Sequence, residues 1–229
     1  MDMFSKRIQT LSSFIKPYKK IADVGCDHGY LIIDAFLRHK IEFAQAIDNK
    51  QGPLENARQN IAKYDFYDKV QFSLSDGIED LDIGVEVVII AGLGGNAIVD
   101  ILTKDIDKLR NVKRLILQPN RNQYDVRKWA QEYNWAIVNE EIIEENEVFY
   151  EIIALERAKE TIIYTEEELT FGPLLIQKRG EVFVKKWQQE YQYLSSLINR
   201  LDHNLEKTHL LKKESLMIKE IIHEGKECR

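Results

Sequence analysis

Residues 21–30, which read IADVGCDHGY, constrain the fold of this chain more than any other stretch. An apolar run interrupted by Asp23 leads into two glycines, Gly25 and Gly29, and the apolar residues 31–33 follow. A short strand that turns sharply at a glycine and enters a helix has this pattern. Gly25 permits the reversal where a side chain would collide with a ligand, and Gly29 lets the helix pack closely on the strand. The pattern predicts a β-α unit with a ligand site at its turn.

Asp27 lies between the two glycines, where a dinucleotide-binding turn of the Rossmann type carries its second glycine. A pyrophosphate rests on the helix N-terminus in such a turn, and a carboxylate there would repel it. S-adenosylmethionine has no phosphates and carries a sulfonium and an ammonium, so acids at Asp23 and Asp27 are compatible with it. Asp27 could instead be only the N-cap of the next helix, or could have both roles.

Strands and helices are predicted to alternate after this turn. The predicted strands are residues 43–48, 70–74, 85–90 and 114–117, and the predicted helices are residues 28–39, 53–64, 98–109 and 124–133. An amphipathic helix over residues 4–15 precedes the first strand. This alternation predicts a parallel sheet covered by helices.

Acids and glycines follow the ends of these strands. Asp48 ends the second strand about 20 positions after Gly29, the spacing of a carboxylate that binds a ribose hydroxyl. Asp76 and Gly77 follow the third strand, as an ordinary turn or as an acid that holds the adenine amino group of S-adenosylmethionine. Residues 91–95 are a second glycine cluster, which lets the backbone approach a ligand closely. We therefore expect a ligand at the carboxyl edge of the sheet.

Residues 136–138 and 149–154 predict a β-hairpin that closes the sheet. The acid-rich residues 140–147 between them are typical of a solvated loop. The whole pattern predicts an α/β fold with a Rossmann-like, mostly parallel sheet of seven strands, the last of them antiparallel.

The C-terminal region has a clear helical pattern. Apolar residues recur in steps of three and four from Phe183 through Trp187 to Leu205, which places them on one side of a helix. A second apolar run spans residues 210–222. Two antiparallel helices packed as a hairpin explain both runs, with Trp187 in their core rather than stacked on a base. Self-association through the same stripe is the alternative, but the hairpin needs no second copy, so we expect a monomer.

Charge is distributed unevenly along the chain. The net charge is −6, yet residues 159–229 hold 12 Lys/Arg and 12 Asp/Glu, so the acidic excess lies in residues 1–158. A locally basic segment on an acidic domain fits an RNA partner, although a solvated helix face explains it equally well. The candidate phosphate contacts in this segment are Lys178, Arg179, Lys185, Lys186, Lys212 and Lys213.

The sequence gives no support for a membrane, secreted or metal-binding protein. No apolar run approaches the ~20 residues that a membrane helix needs, and residues 1–20 lack the pattern of a signal peptide. Cys26 and Cys228 are far apart and have no metal-ligand spacing. We therefore expect free thiols, no bound metal and a cytoplasmic location.

Four segments together resemble the bacterial tRNA (adenine-N1)-methyltransferase family that modifies adenine 22 of tRNA. They are residues 23–31 (DVGCDHGYL), 91–95 (AGLGG), 117–120 (LQPN) and 149–152 (FYEI). Five β-α repeats closed by a hairpin are also the outline of a class I methyltransferase domain. The likeness spans residues 1–158 in order and spacing, and the Asp-His pair inside the first glycine turn is its most discriminating element.

The resemblance implies S-adenosylmethionine as cofactor and tRNA as substrate. It implies a methyltransferase domain at residues 1–158, which we expect to fold and bind cofactor alone, and an α-helical coiled-coil tRNA-binding domain at residues 159–229. The cofactor site that it implies comprises Asp23, Gly25, Asp27, His28, Gly29, Asp48, Asn49, Asp76, Gly77, Gly92, Leu93, Gly94 and Gly95.

The target base needs polar partners as well. Methyl transfer is an in-line displacement, and the main task of the enzyme is to hold nucleophile and methyl group in line. Adenine N1 has an in-plane lone pair that attacks without activation, and the fourth strand lacks the Asn/Asp-Pro-Pro-aromatic turn that orients exocyclic amines. The candidates for positioning the base are His28, Gln118 and Asn120. His28 could instead be a helix-start residue bonded to backbone, and Gln118 and Asn120 could belong to a plain turn that ends a strand. No general base is assigned.

Overall fold

The computed structural model describes residues 4–201 and 206–223, apart from the side chain of Lys207. Leu205 and Cys228, which the sequence analysis singled out, lie outside the described residues. The helices are α1 (Lys6–Ser13), α2 (Tyr30–His39), α3 (Gln51–Ile61), α4 (Gly95–Lys104), α5 (Gln123–Glu132), α6 (Glu166–Phe171), α7 (Pro173–Lys178), α8 (Glu181–Ile198) and α9 (Glu206–His223). The strands are β1 (Lys20–Val24), β2 (Phe43–Asp48), β3 (Val70–Leu74), β4 (Val87–Leu93), β5 (Arg114–Pro119), β6 (Trp135–Glu145) and β7 (Val148–Arg157).

These strands form a 7-stranded sheet in the order β3-β2-β1-β4-β5-β7-β6. Strands β1 to β5 are parallel, whereas β7 runs antiparallel to both β5 and β6. The predicted Rossmann-like α/β fold with an antiparallel last strand is therefore confirmed. The strand order reverses between β1 and β4, and ligands of such sheets bind beyond the carboxyl ends of the strands at that point.

The central strands are buried on both faces, as their nearly continuous apolar sequence indicates. In β1, Ile21 belongs to the core beneath α1, α2 and α3, while Ala22 and Val24 belong to the core beneath α4 and α5. The sheet is thus a middle layer that fixes where each strand ends. Among the described residues, no helix combines the length and the apolar character needed to span a membrane.

Strand β4 extends further than the sequence indicates. It runs through Ala91 and Gly92 to Leu93, and α4 begins at Gly95 rather than at residue 98. Pairing with β5 continues from Ala91–Gln118 to Leu93–Pro119 across an irregularity at Gly92. The φ of Gly92 is +80°, a conformation that glycine adopts easily, and the strand can therefore continue past the irregularity.

The predicted acidic loop over residues 140–147 is wrong. Residues 140–145 continue β6, and a two-residue turn at Asn146 and Glu147, both with positive φ, leads into β7. Such a turn suits the twist of a hairpin. Glu140 was expected in solvent but is fully buried, because a buried cation neutralises it.

That cation is Arg127 of α5, which is itself fully buried. Its Nε donates to Glu140 at 2.8 Å and its Nη2 donates to Glu151 of β7 at 2.5 Å. Lys186 of α8 forms a second ion pair with Glu151. Burial alone would raise the pKa of Glu151, but the charges of Lys186 and Arg127 outweigh it and lower that pKa.

The C-terminal helices complete this buried ion cluster. Arg127 Nη1 donates to the carbonyl oxygens of Leu169 and Thr170 in α6, each at 3.2 Å. A Cβ atom at Gly172 would lie only 2.7 Å from Arg127 Nη2, so only glycine fits between α6 and α7. The division at residue 158 stays a prediction, and these contacts cross it.

Helices α8 and α9 pack against each other, as the predicted hairpin requires. Phe183, Trp187 and Leu194 of α8 share a buried cluster with Ile218 and Ile221 of α9. The ring of Trp187 meets the ring of Phe171 edge-on, with centroids 4.6 Å apart. Trp187 is therefore a core residue, as expected.

We predict that Arg127→Met lowers the free energy of unfolding by about 3–5 kcal/mol, because it leaves two buried carboxylates without the cation that they share. Urea denaturation of the full chain measures this. The control is Arg110→Met, since Arg110 and Asp107 form a highly exposed pair at 3.7 Å, and exposed pairs contribute about 0–1 kcal/mol. Equal changes in the two variants would contradict a structural role for the cluster.

Candidate active site

A cavity of about 620 Å³ opens at the carboxyl edge of the sheet. Residues from the ends of β1 to β5 line it, together with residues of α1 and β7. This size is within the range of small-molecule and cofactor sites. The predicted site residues that line it are Asp23, Gly25, Asp27, His28, Asp48, Asn49, Asp76, Gly77, Gly92, Leu93 and Asn120.

Every second residue of the turn between β1 and α2, from Gly25 to Gly29, has a backbone conformation in the left-handed region. The φ values are +78° at Gly25, +45° at Asp27 and +70° at Gly29. Gly25 N donates to Ile47 O at 2.8 Å, which holds the turn beside the end of β2. A Cβ atom at Gly25 would meet no atom within 4 Å, so this glycine leaves open space at a position that lines the cavity.

Two expectations for this turn need correction. The N-cap of α2 is Gly29 rather than Asp27, so Asp27 is not a capping residue and stays available to the cavity. Gly29 does not line the cavity. It is needed because a Cβ atom there would lie 2.9 Å from Ile61 Cδ1, so close packing on α3, rather than on β1, demands a glycine.

Two buried carboxylates mark the β1–β2 side of the cavity. Asp23 is only 5% exposed and Asp48 is only 9% exposed. Burial, and after it the charge of Asp48, raise the pKa of Asp23 to about 7, although Arg7 acts in the opposite direction. Asp48 Oδ1 accepts a hydrogen bond from Lys50 N at 3.0 Å, which fixes its carboxylate. The two acids make this side of the cavity negative, and Arg7, which lines the same cavity, offsets part of that charge.

Asp76 and His28 line the same cavity closer to solvent. Asp76 forms an ion pair with Lys104 at 3.0 Å. The ring of His28 stacks on Tyr30, with centroids 5.5 Å apart, and its Nε2 lies 3.6 Å from Asp27 Oδ2. His28 lines the cavity, and its role in positioning the base stays a prediction.

The second glycine cluster has a different use at each position. Gly92 lines the cavity, and a Cβ atom there would lie 3.4 Å from Arg7 Nη1. Gly94 and Gly95 do not line it. The side chain of Arg121 lies over Gly94, and a Cβ atom at Gly95 would lie 2.1 Å from the carbonyl oxygen of Asn122. These two glycines make room for the segment that follows β5.

A relay of side-chain hydrogen bonds crosses the β4–β5 side of the cavity. Arg7 Nη1 donates to Gln118 Oε1 at 3.0 Å, Gln118 Nε2 donates to Asn120 Oδ1 at 3.0 Å, and Asn120 Nδ2 donates to Gly92 O at 2.7 Å. Gln118 is fully buried and does not line the cavity. Gln118 can therefore position Asn120, but it does not reach a ligand itself in this arrangement.

Two residues that line the cavity, Arg7 and Tyr150, were not predicted from the sequence. The guanidinium of Arg7 lies over the ring of Tyr150, 5.2 Å from its centroid, and both residues line the cavity. Arg7 is a polar residue of α1, and the sequence pattern of that helix indicated only that its apolar side packs in the core. Tyr150 belongs to a segment that carried the family resemblance, and that was the one available signal for it.

Three of the predicted RNA contacts are occupied by intramolecular partners. Lys178 Nζ donates to Asn139 at 3.1 Å, Lys185 pairs with Glu144 at 2.6 Å, and Lys186 pairs with buried Glu151. Arg179, Lys212 and Lys213 have no ion pair with a described residue. The assignment of all six to RNA binding stays a prediction, and it now depends mainly on the last three.

In the part of the chain that the structure describes, no group of His, Cys, Asp and Glu could hold a metal ion.

Comparison with known proteins agrees with this geometry. The family model described as tRNA (adenine(22)-N(1))-methyltransferase matches residues 21–227. The chain belongs to this family. It is 33% identical over 232 residues to the Bacillus subtilis tRNA (adenine(22)-N(1))-methyltransferase, covering 96% of this chain and 98% of that protein.

Solved structures of the family share the fold. A putative tRNA (m1A22) methyltransferase from Streptococcus pneumoniae, in complex with S-adenosyl-L-methionine, is 36% identical with a TM-score of 0.89, covering 96% of this chain and 100% of that one. M. capricolum TrmK in complex with S-adenosyl-homocysteine is 27% identical with a TM-score of 0.88, covering 96% and 98%.

We predict that S-adenosylmethionine affinity falls as the pH falls below 7. The raised pKa of about 7 means that Asp23 is largely protonated at pH 6, and only its ionised form attracts a cation. The apparent affinity at pH 6 should be roughly tenfold weaker than at pH 8, in proportion to the ionised fraction. Fluorescence titration across this range measures it. Asp23→Asn should remove the dependence between pH 6 and 8, and an unchanged slope in that variant would contradict the assignment.

Proposed function

We propose that this chain transfers a methyl group from S-adenosylmethionine to N1 of adenine 22 in tRNA. The single observation that carries this proposal is the cavity at the carboxyl edge, with buried acids on its β1–β2 side, in a chain of the methyltransferase family. The substrate and the target atom come from the names of the family and of its Bacillus subtilis member.

The described residues fit S-adenosylmethionine. The cavity has a suitable volume, Gly25 leaves open space at the first turn, and the buried acids favour a cationic ligand. We assign Asp48 to the ribose hydroxyls, Asp76 to the adenine amino group, and Asp23 with Asp27 to the positive charges. When bound, this cofactor supplies an electrophilic methyl group.

The β4–β5 side of the cavity suits a neutral purine. Asn120 lines the cavity, and the relay uses only one of its two N–H donors and one of its acceptor sites. The remaining donor and lone pair can bond the adenine edge, while Gln118 holds the amide in one orientation. Tyr150 and His28 offer rings near the same mouth, and Arg7 fixes Tyr150 from one side.

The chain needs no group that removes a proton for this reaction. Adenine N1 attacks with a lone pair, so the demands on the protein are alignment and exclusion of water. The groups that we place around the base are an amide and aromatic rings. They can align the base without taking a proton from N1 or giving one to it. Catalysis therefore depends on how rigidly the relay from Arg7 to Gly92 is held.

We also propose that the helical tail, residues 159–229, helps to bind tRNA through Arg179, Lys212 and Lys213. We further propose that the chain works as a cytoplasmic monomer. The apolar side of α8 is covered by α9 and by residues of α6 and α7, which supports a monomer because no second copy is needed to bury it.

The target base lies in folded RNA and must be splayed out, at a cost of a few kcal/mol. Contacts distant from the cavity can offset that cost.

The direct test is methylation of tRNA transcripts by the full chain with S-adenosylmethionine. We predict one methyl group on a transcript with adenine at position 22, located by nuclease digestion and mass spectrometry as 1-methyladenosine. A matched transcript with guanine at position 22 should gain none. Methylation at another position, or at the exocyclic amine, would contradict the proposal.

A further inference from the structure

The carboxylates and the arginines near the cavity lie on different sides of it. The ends of β1, β2 and β3 present Asp23, Asp48 and Asp76, and Asp76 is paired with Lys104, whereas two arginines flank the turn after β4. Arg7 Nη1 lies 3.4 Å from the Cβ position of Gly92, and Arg121 Nε lies 3.5 Å from the Cβ position of Gly94. A ligand with both a positive and a negative part would be oriented by this arrangement.

The two arginines differ in how far they are committed to other groups. Arg7 donates to Gln118 and covers Tyr150, so it serves the relay. Arg121 is exposed, and its guanidinium forms no hydrogen bond or ion pair with another described residue. Its aliphatic stem lies over Gly94, with Cγ 3.9 Å from the Cβ position there.

The backbone that carries Arg121 is firmly held. Gly95 N donates to Arg121 O at 2.8 Å, and Asn120 N donates to Leu93 O at 2.7 Å. Asn122 Nδ2 donates to Asn96 Oδ1 at 2.5 Å. An uncommitted guanidinium thus projects from a fixed segment directly beside Asn120, which lines the cavity.

We propose that Arg121 binds a backbone phosphate of the tRNA adjacent to the target nucleotide. This inference rests on the proposed function, because a base that is splayed into the cavity brings its flanking phosphates to the mouth. Arginine matches phosphate with two parallel hydrogen bonds. The carboxylates at the ends of β1 and β2 repel phosphate, so the strand of RNA passes on the Arg121 side of the cavity.

The occupied lysines of the tail strengthen this conclusion. Lys178, Lys185 and Lys186 are tied to oxygens of β6 and β7, so the basic segment supplies fewer free cations than its sequence indicates. Phosphate contacts supply a large share of the affinity of proteins for nucleic acids, so a free arginine beside the cavity can add to the contacts made by the tail.

The test compares Arg121→Gln with Arg110→Gln in the full chain. Arg110 is an exposed arginine that precedes β5, at the opposite edge of the sheet, so it matches the substitution and the change in net charge. We measure tRNA affinity over a range of salt concentrations, S-adenosylmethionine affinity, and the Michaelis constant for tRNA.

Arg121→Gln should weaken tRNA binding roughly tenfold and reduce the slope of log affinity against log salt by about 0.7–0.9, the value for one lost phosphate contact. Cofactor affinity should not change. Arg121→Lys should restore the slope but only part of the affinity, since it keeps the charge and loses the fork. A merely structural role would leave the salt slope unchanged.

An unchanged slope in Arg121→Gln, or an equal change in Arg110→Gln, would overturn the phosphate site. That result would leave the proposed function intact if the wild-type chain still methylates adenine 22. If the wild-type chain binds tRNA but does not methylate it, the proposed function fails, and the salt slopes still decide whether Arg121 contacts a phosphate.

Discussion

The parallel strands β1, β2 and β3 end at one edge of the sheet, and this brings the carboxylates at their ends into one cavity. Asp23 and Asp48 are both buried there, and burial together with the charge of Asp48 raises the pKa of Asp23 to about 7. Two like charges in a poorly solvated place destabilise the empty site, and a cationic ligand relieves that cost. We therefore expect the cavity to favour a sulfonium over a pyrophosphate.

The other side of the cavity is organised by neutral hydrogen bonds and by arginines. The relay from Arg7 through Gln118 to Asn120 joins α1 to β5 and holds one amide at the cavity wall. The hairpin β6–β7, which supplies Tyr150, is in turn tied to α5, α6 and α8 through Arg127, Glu140 and Glu151. The C-terminal helices therefore support the site indirectly, through the buried ion cluster.

The succession of strands and helices along the chain, the first glycine turn and the four acids that line the cavity could be predicted from sequence, because local patterns indicate them. The buried ion cluster could not be predicted, since Glu140 lies in a run of acids that is typical of solvent and its partner Arg127 comes from a different element. The same limitation applies to Arg7, Gly95 and Lys186. What each of these residues does is decided by a neighbour distant in sequence, namely Gln118, the carbonyl of Asn122 and Glu151.

The central claim is that the cavity selects a positively charged cofactor and rejects a diphosphate. Isothermal titration calorimetry of the full chain at pH 8 with S-adenosylmethionine, and separately with NAD, tests it most directly. The arrangement of Asp23, Asp27 and Asp48 predicts saturable binding of S-adenosylmethionine at one site and no measurable binding of NAD. Binding of NAD with comparable affinity, or binding of neither compound, would contradict it.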